Sequence, residues 1–169
     1  MRVNDPPRHC RERIDEHVSG RRPESAALRL RIPPDPRLGR AVREQVAGFT
    51  QACAAPEADA IAFITAVFEA FANAVEHADS SEPIELTCSL IGGTQLRATI
   101  VDHGIGFPLG RATQPVALPE EFAERGRGLL IMRRCSDRFS VRSTPGRGTT
   151  IILGRTLEPR PTNQGAWAS

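Results

Sequence analysis

The change in hydrophobic spacing along the chain constrains the fold of this sequence most. Apolar residues alternate with arginines over residues 28–32, a period-2 pattern that predicts a half-buried strand. Helical spacing follows in two consecutive segments, about 35 to 53 and 56 to 78. The first opens with Asp35 at the position of an N-cap and Pro36 at the first helical position. The folded part therefore begins with a strand and two amphipathic helices.

Strand-like spacing returns in the second half of the sequence. One short helix and four strands are predicted there, at residues 84–90, 96–101, 128–134 (the helix), 138–143 and 149–157. Gly92-Gly93 and Pro145-Gly146 suit tight turns between antiparallel strands, and a loop rich in Gly and Pro covers residues 103–124. This order predicts an α+β fold, a two-layer α/β sandwich whose mixed, mostly antiparallel sheet carries helices on one face.

The chain of 169 residues, with 40% hydrophobic content, has room for one domain with a real core. We place that domain at residues 27–157. Residues 1–26 hold too few large apolar residues to bury a face, so we expect a flexible N-terminal extension there. Residues 158–169, rich in Pro, Asn and Gly, predict a flexible tail.

The basic residues exclude two kinds of nucleotide site. All 22 of them are arginine, so the chain has neither the lysine of a Walker A loop nor the strand lysine of an ordinary protein kinase. The formal net charge is only +2, from 22 basic and 20 acidic residues. This balance predicts a protein or small-molecule partner, with no nucleic acid and no membrane as the main partner.

Cysteine usage and hydropathy indicate a cytoplasmic protein. The four cysteines, Cys10, Cys53, Cys88 and Cys135, include no C-x-x-C pair, and we expect reduced thiols. No uninterrupted apolar run approaches the roughly 20 residues of a membrane span, and the N-terminus lacks the apolar core of a signal peptide.

Two motifs carry polar groups toward the predicted core. Glu69, Asn73 and His77 follow one another at helical spacing and project from one side of the second helix. Asp102 ends the central strand and is followed by Gly104 and Gly106, so its carboxylate could accept a hydrogen bond from a nucleotide base while the glycines let backbone approach a ligand. Taken alone, the first motif is better explained by a solvated helix edge, and the second is a turn signal and nothing more.

Two further glycine motifs follow. Gly126-Arg127-Gly128-Leu129 opens the predicted short helix, whose free N–H groups and positive dipole end could hold phosphates. A flexible loop ending in a helix cap explains that segment equally well. Gly148-Thr149 enters the last strand, where a hairpin turn is the simpler explanation.

Taken together, these motifs and their order resemble the N, G1, G2 and G3 boxes of the GHKL ATPases. Within that clan, the segments 69–78 and 102–107 most resemble the anti-sigma-factor serine/threonine kinases, and the resemblance covers roughly residues 28–156. The sequence departs from the family pattern at Pro108, where many relatives carry an acidic residue, and in its long N-terminal extension.

The resemblance implies ATP and Mg²⁺ as ligands and a role for each motif. Asn73 would ligate Mg²⁺, Asp102 would bind adenine with Thr149 beside it, and Glu69 would act as the general base. The other residues implied at the nucleotide are His77, Gly104, Gly106, Gly126, Arg127, Gly128 and Leu129.

The implied substrate is a STAS-domain anti-sigma-factor antagonist, phosphorylated in a partner-switching cycle in which a sigma factor or another regulator competes for the kinase. The N-terminal extension leaves room for a partner-specific or self-associating segment, and thus for a homodimer. Two alternatives stay open. One is a non-catalytic module that binds ATP only to gate an interaction surface. The other is the catalytic part of a sensor histidine kinase. It needs an upstream phosphoacceptor helix, and its only candidates, His9 and His17, lie in an apolar-poor extension too short for a dimerisation hairpin.

Overall fold

The computed structural model describes residues 22–77, 79–107 and 127–158. The helices and strands occur in the predicted order: β1 (Ala26–Ile32), a 3-10 turn (Pro36–Leu38), α1 (Gly39–Ala52), α2 (Glu57–His77), β2 (Ile84–Ile91), β3 (Gln95–Asp102), α3 (Arg127–Arg134), β4 (Arg138–Thr144) and β5 (Gly148–Thr156). The predicted first helix thus divides into a 3-10 turn and α1. Residues 1–21, most of the Gly- and Pro-rich loop with Pro108, and residues 159–169 lie outside the described residues.

The five strands of the described residues form one sheet in the order β1-β2-β3-β5-β4. The predicted sheet was mixed and mostly antiparallel, and among the described strands all four pairings are antiparallel. The two-layer α+β class is confirmed. Strand β5, the last strand in the sequence, lies between β3 and β4. This position places β5 next to the central strand β3, where the candidate site is found.

Both predicted turns are present, and glycine provides the backbone conformation that each turn requires. Gly92 and Gly93 have φ values of 57° and 65°, as a type I′ hairpin turn requires, and the N–H of Thr94 donates to Ile91 O at 3.2 Å. In the β4–β5 turn Gly146 has φ 73°, and the N–H of Arg147 donates to Thr144 O at 2.9 Å.

The start of the first helical segment follows from its sequence. The Asp35 carboxylate accepts a hydrogen bond from the backbone N–H of Arg37 at 2.9 Å, and Pro36 occupies the first position of the 3-10 turn. Hydrogen bonds from the Arg37 side chain hold the pKa of Asp35 below its usual value. This cap therefore fixes the residue at which the helical segment 36–52 begins.

Helix α2 is the central element of the core. Its residues 57–76 are long and apolar enough, with a mean hydropathy of 1.5, to meet the length and composition of a membrane span. In the fold this helix packs against α1, α3 and the inner face of the sheet. Its buried side chains are Asp59, Phe63, Ala66, Val67, Ala70, Phe71 and Ala74. A helix that is apolar over much of its surface is expected where three neighbours cover it.

One buried ion pair fixes α2 on β5. The Asp59 carboxylate, 2% exposed, accepts from Arg155 Nε at 2.9 Å and from the backbone N–H of Glu158 at 3.0 Å. Arg22, which the sequence interpretation placed in the extension, donates to Glu158 O at 2.8 Å and to Ala54 O at 3.2 Å. The first described residues therefore contact the domain.

Two of the cysteines are core residues. Cys53 and Cys88 are free and buried, and burial raises the pKa of the Cys53 thiol to about 11 and that of Cys88 to about 12. A thiol with a raised pKa stays protonated and packs as a small apolar group. Cys135 is free and half-buried.

Candidate functional site

The predicted row of polar residues on α2 meets the first turn of α3. A β-carbon placed on Gly128 would lie 3.0 Å from Asn73 Oδ1 and 3.3 Å from Glu69 Oε2. Gly128 is therefore the contact point where the backbone of α3 approaches the carboxylate and the amide, both of them half-buried. The structure brings Glu69, Asn73 and Gly128 together from segments that are more than 50 residues apart in sequence.

The rest of that cluster follows from helix α3. Arg127 begins the helix and is exposed, whereas Leu129 is half-buried and packs against the core. The N–H groups of the first turn have no intrahelical partner and point toward the end of the helix where Arg127 adds positive charge. Gly126 lies outside the described residues. His77 is the last residue of α2, and its side chain is also outside the described part.

A second cluster surrounds Asp102 at the end of β3. The carboxylate is 8% exposed, and its Oδ1 accepts from the backbone N–H groups of Gly104 at 3.0 Å and Thr149 at 3.2 Å. No hydrogen bond from the described residues reaches Oδ2, and no buried side-chain oxygen among them lacks a partner, so Oδ2 keeps contact with solvent. A carboxylate held this way offers one fixed acceptor to an incoming N–H donor.

At two glycines of this cluster, the backbone comes very close to the backbone of another segment. Gly148 has φ 82°, and a β-carbon there would lie 2.8 Å from the carbonyl carbon of Asp102. Gly106 has φ 59°, and a β-carbon there would lie 2.8 Å from the carbonyl carbon of Thr144. Both positions thus require glycine for the conformation and for the space. The loop after Asp102 lies directly on the β4–β5 hairpin as a result.

One residue of the cluster was missed in the sequence. The Ser143 hydroxyl accepts from the backbone N–H of Phe107 at 2.8 Å and shares a 3.0 Å hydrogen bond with Thr149 Oγ1. Thr149, 9% exposed, stands opposite Asp102 in the β3–β5 register, and Ser143 stands opposite Thr149 in the β4–β5 register. Counting outward from a three-residue loop, Pro145 to Arg147, pairs Thr144 with Gly148 and Ser143 with Thr149, and would have identified Ser143.

The two clusters lie on the helix-covered side of the sheet. Asp102 and Thr149 alternate with outward residues and share the inward face with buried Ile100 and Ile151. Glu69 and Asn73 belong to the helix that packs on β3 and β5. The arrangement combines a fixed carboxylate acceptor, glycines that a ligand can approach, and a carboxylate with an amide at a helix N-terminus.

Comparison with known proteins identifies the family. The family model described as the histidine kinase-like ATPase domain matches residues 32–154, which include both clusters. The chain belongs to the histidine kinase-like ATPase domain family. The GHKL resemblance predicted from the four motifs is thereby confirmed, and ATP is the ligand that the family implies.

Two relatives of this histidine kinase-like ATPase domain are named anti-sigma F factor. The protein of Pasteuria penetrans is 37% identical over 99 residues, covering 56% of this chain and 66% of the relative. The protein of Clostridium acetobutylicum is 32% identical over 91 residues, covering 52% of this chain and 64% of the relative. The chain thus spans slightly less than two thirds of the length of these relatives.

Solved structures agree on the fold. The RsbU and RsbW domains of Rv1364c from Mycobacterium tuberculosis match with a TM-score of 0.61 at 22% identity, over 79% of this chain and 33% of that one. A chain of the SiaB-SiaC complex from Pseudomonas aeruginosa matches with a TM-score of 0.54 at 15% identity, over 77% of this chain and 89% of that one. At these identities the likeness supports the histidine kinase-like ATPase fold alone.

The clusters fit the ligand that the ATPase family implies. Asp102 Oδ2 suits the amino group of adenine because Oδ1 is already held by two backbone donors. Asn73 provides an uncharged oxygen ligand of the hard type that Mg²⁺ prefers, next to a carboxylate and to the N-terminus of α3. These two oxygens suit the base end and the phosphate end of a nucleotide.

Proposed function

We propose that this protein is an ATP-dependent serine/threonine protein kinase of a partner-switching system. Its substrate would be a STAS-domain anti-sigma-factor antagonist, and the protein would also act as an anti-sigma factor or an equivalent switch. The observation that supports the proposal is the juxtaposition of Glu69 with Asn73 at Gly128, because these side chains would serve as a general base beside a cation ligand.

Each residue of the two clusters has a role in this proposal. Asp102 would accept a hydrogen bond from adenine, with Thr149 supporting the base and Gly104 and Gly106 leaving space for it. Asn73 would hold Mg²⁺ through Oδ1. The backbone of α3 near Gly128, together with Gly126, Arg127 and Leu129, would surround the phosphates, and His77 would extend the row on α2.

Glu69 would do the chemical work that nucleotide binding does not need. Its carboxylate would orient the hydroxyl of the incoming serine or threonine and accept the proton at Oε2 as the phosphoryl group is transferred. Bound ATP would supply the γ-phosphoryl group and leave as ADP, with positioning and charge stabilisation contributing most of the rate enhancement. Arg127, at the exposed start of α3, would add positive charge at the phosphates.

The names of the relatives support the regulatory part of the proposal. Both are called anti-sigma F factor, so a sigma factor competing with the antagonist is the partner that we propose. Such a protein would work in the cytoplasm. The homodimer suggested by the N-terminal extension stays a prediction, because residues 1–21 lie outside the described residues.

The deciding experiment measures transfer of labelled γ-phosphate from ATP to STAS proteins encoded near this chain. Wild type would be compared with Glu69→Ala, Asn73→Ala and a control, Glu82→Ala, in an exposed turn. We expect serine or threonine labelling by wild type and control, with at least about a hundredfold loss in Glu69→Ala, in line with removal of a general base.

The variants also separate the kinase from a gated binding module. A kinase that loses its base should still bind ATP in Glu69→Ala, whereas Asn73→Ala should weaken binding of Mg·ATP itself. If Glu69→Ala regulated its partner as well as wild type and no protein became labelled, the kinase proposal would be wrong. The chain would then be a non-catalytic module in which ATP gates an interaction surface.

A further inference from the structure

The sheet face that turns away from the helices is unusually basic. Its outward-pointing residues on the five strands include five exposed arginines, and we call this surface the outer face: Arg29, Arg31, Arg97, Arg138 and Arg142. The only acidic residue pointing outward from the described strands is Glu85, whose carboxylate lies 3.7 Å from Arg31 Nε. Five positive charges and one negative charge give the outer face a formal charge of +4.

The positive charge of the outer face is not spread over the whole chain. The formal charge of the protein is +2, so the remainder of the chain sums to −2. The outer face therefore holds more than the entire basic excess of the protein. Arg29, Arg97, Arg138 and Arg142 form no ion pair with any described residue. Arginines on one face of the sheet with no described ion-pair partner are available to a ligand.

Two of these arginines flank a cleft whose floor is a glycine. Arg97, Gly154 and Arg138 lie in one row across β3, β5 and β4. The stem of Arg138 leans over Gly154, since a β-carbon there would lie 3.2 Å from Arg138 Cβ and 3.7 Å from its Cγ. A cavity of about 260 Å³ occupies this place, and its lining includes Gln95, Arg97, Arg138, Ser140, Ile152 and Gly154.

The chemistry of the cleft selects an anion. Its polar lining residues are two arginines, a glutamine and a serine, beside apolar Ile152, and guanidinium matches a carboxylate in a bidentate geometry. Asp137 precedes Arg138 in the chain, but its carboxylate is already bound by the backbone N–H of Thr156 at 2.6 Å and lies 3.6 Å from Arg155 Nη1. Among the described residues, no carboxylate of the chain itself fills the cleft.

We propose that an acidic segment of a partner protein docks on the outer face, with one of its carboxylate side chains in the cleft between Arg97 and Arg138. Arginine is enriched at protein interfaces, and a recessed site suits a projecting side chain. The outward residues of the described strands include no aromatic ring for stacking a nucleic-acid base, and Phe139, which also lines the cavity, packs against the core. A second copy of this face would oppose arginine with arginine.

This surface is independent of the nucleotide site, which lies on the other side of the sheet. The proposal therefore uses none of the residues assigned to ATP, and loss of one function leaves the other intact. It adds to the proposed kinase a second recognition surface, whose specificity is for carboxylate groups in an acidic protein segment.

Binding of fluorescently labelled poly-L-glutamate to the full chain, followed by anisotropy, tests this proposal. We expect Arg97→Gln/Arg138→Gln to weaken binding by about tenfold or more. A charge-matched control, Arg133→Gln/Arg134→Gln on α3, should weaken it by less than about threefold. Gly154→Ala keeps every charge but places a methyl group on the cleft floor, and we expect a loss between those two values.

Several results would overturn the proposal. Equal losses in the two double variants, or unchanged binding in Gly154→Ala, would show that diffuse charge rather than the cleft binds the peptide. Tighter binding of oligo-dT or of phosphatidylglycerol vesicles would assign the face to another class of partner. Self-association that disappears in Arg97→Gln/Arg138→Gln would assign it to a second copy. Unchanged melting temperature and ATP affinity would confirm that the variants are folded.

Discussion

Arg155 on β5 donates from Nε to Oδ1 of Asp59 at 2.9 Å, and the carboxylate that it neutralises is only 2% exposed. This pair links the first turn of α2 to the strand that inserts next to β3. Removing one member of such a pair leaves a charge that is buried and uncompensated.

We therefore expect Arg155→Met to lower the free energy of unfolding by about 3–5 kcal/mol, as measured by urea denaturation. Asp59→Asn/Arg155→Met should recover part of that loss, because the amide carries no charge and can still accept from the N–H of Glu158. If the double variant were as unstable as the sum of its single variants, the pair would not be coupled.

Gly148 and Gly146 form a matched pair of positive-φ glycines in the β4–β5 turn region. Gly146→Ala meets no atom within 4 Å, so only the backbone strain of φ 73° should cost stability, about 1 kcal/mol. Gly148→Ala adds a collision with the Asp102 backbone and should cost at least about 2 kcal/mol more, with loss of ATP binding. Thermal unfolding and fluorescent-nucleotide titration would measure both effects. Equal costs at the two positions would contradict the close approach.

Gly128→Ala tests the meeting of α3 with the row on α2. The new methyl group would lie 3.0 Å from Asn73 Oδ1 and should displace the amide and the Glu69 carboxylate. We expect phosphoryl transfer to fall by about tenfold or more, because catalytic groups lose rate when they are displaced from their position. Gly48→Ala, in the exposed part of α1 with nothing within 4 Å, should raise stability by about 0.5–1 kcal/mol and leave transfer unchanged.

Asp102→Asn should weaken ATP binding by about 1–3 kcal/mol while changing stability less. The amide oxygen can still accept from the N–H groups of Gly104 and Thr149, but an NH₂ group then replaces Oδ2 and faces the amino group of adenine. Isothermal titration with ATP would give the change. Asp137→Asn, away from the inner clusters, is the control, and an equal loss there would contradict the role of Asp102.

Alkaline pH should lower the free energy of unfolding through the buried thiols. The pKa values of Cys53 and Cys88 are raised by burial to about 11 and about 12, so the folded state keeps its protons longer than the unfolded chain. The corresponding stability is complete below pH 9.0 and is lost as the pH rises, at up to about 1.4 kcal/mol per pH unit for each thiol.

The composition makes this measurement unusually clean. The chain has no tyrosine and no lysine, so these groups do not titrate in the same range. Urea unfolding of wild type between about pH 8 and 11 should show the decline, and Cys53→Ala/Cys88→Ala should show a much flatter profile. Parallel profiles for the two proteins would rule out the buried thiols as the cause.

Much of the fold could be predicted because its signals are local. The period-2 and helical spacings gave the element order, and Asp35, Gly92 and Gly146 fix a cap and two turns through their own backbone geometry. The four motifs likewise rest on short spacings, such as the four residues between Glu69 and Asn73 that place both on one side of α2.

The family could also be predicted from the sequence, because the motifs occur in a fixed order along the chain. The role of a single residue stayed ambiguous wherever its local sequence had two explanations. Taken alone, the Asp102 motif indicated only a turn, and the hydrogen bond that its carboxylate accepts from the N–H of Gly104 is indeed local. Its second donor, Thr149, is 47 residues away and shows that the carboxylate is held from both sides.

By itself, the sequence determined the order of helices and strands, the turns and the identity of the polar motifs, because each depends on neighbours within a few residues. Only the tertiary structure decided that β5 lies between β3 and β4. It also decided three contacts between distant segments: Gly128 with Glu69, Asp59 with Arg155, and the row of Arg97 and Arg138 across Gly154. These contacts join distant segments, and the packing of the whole core selects them because no local pattern encodes which strands become neighbours.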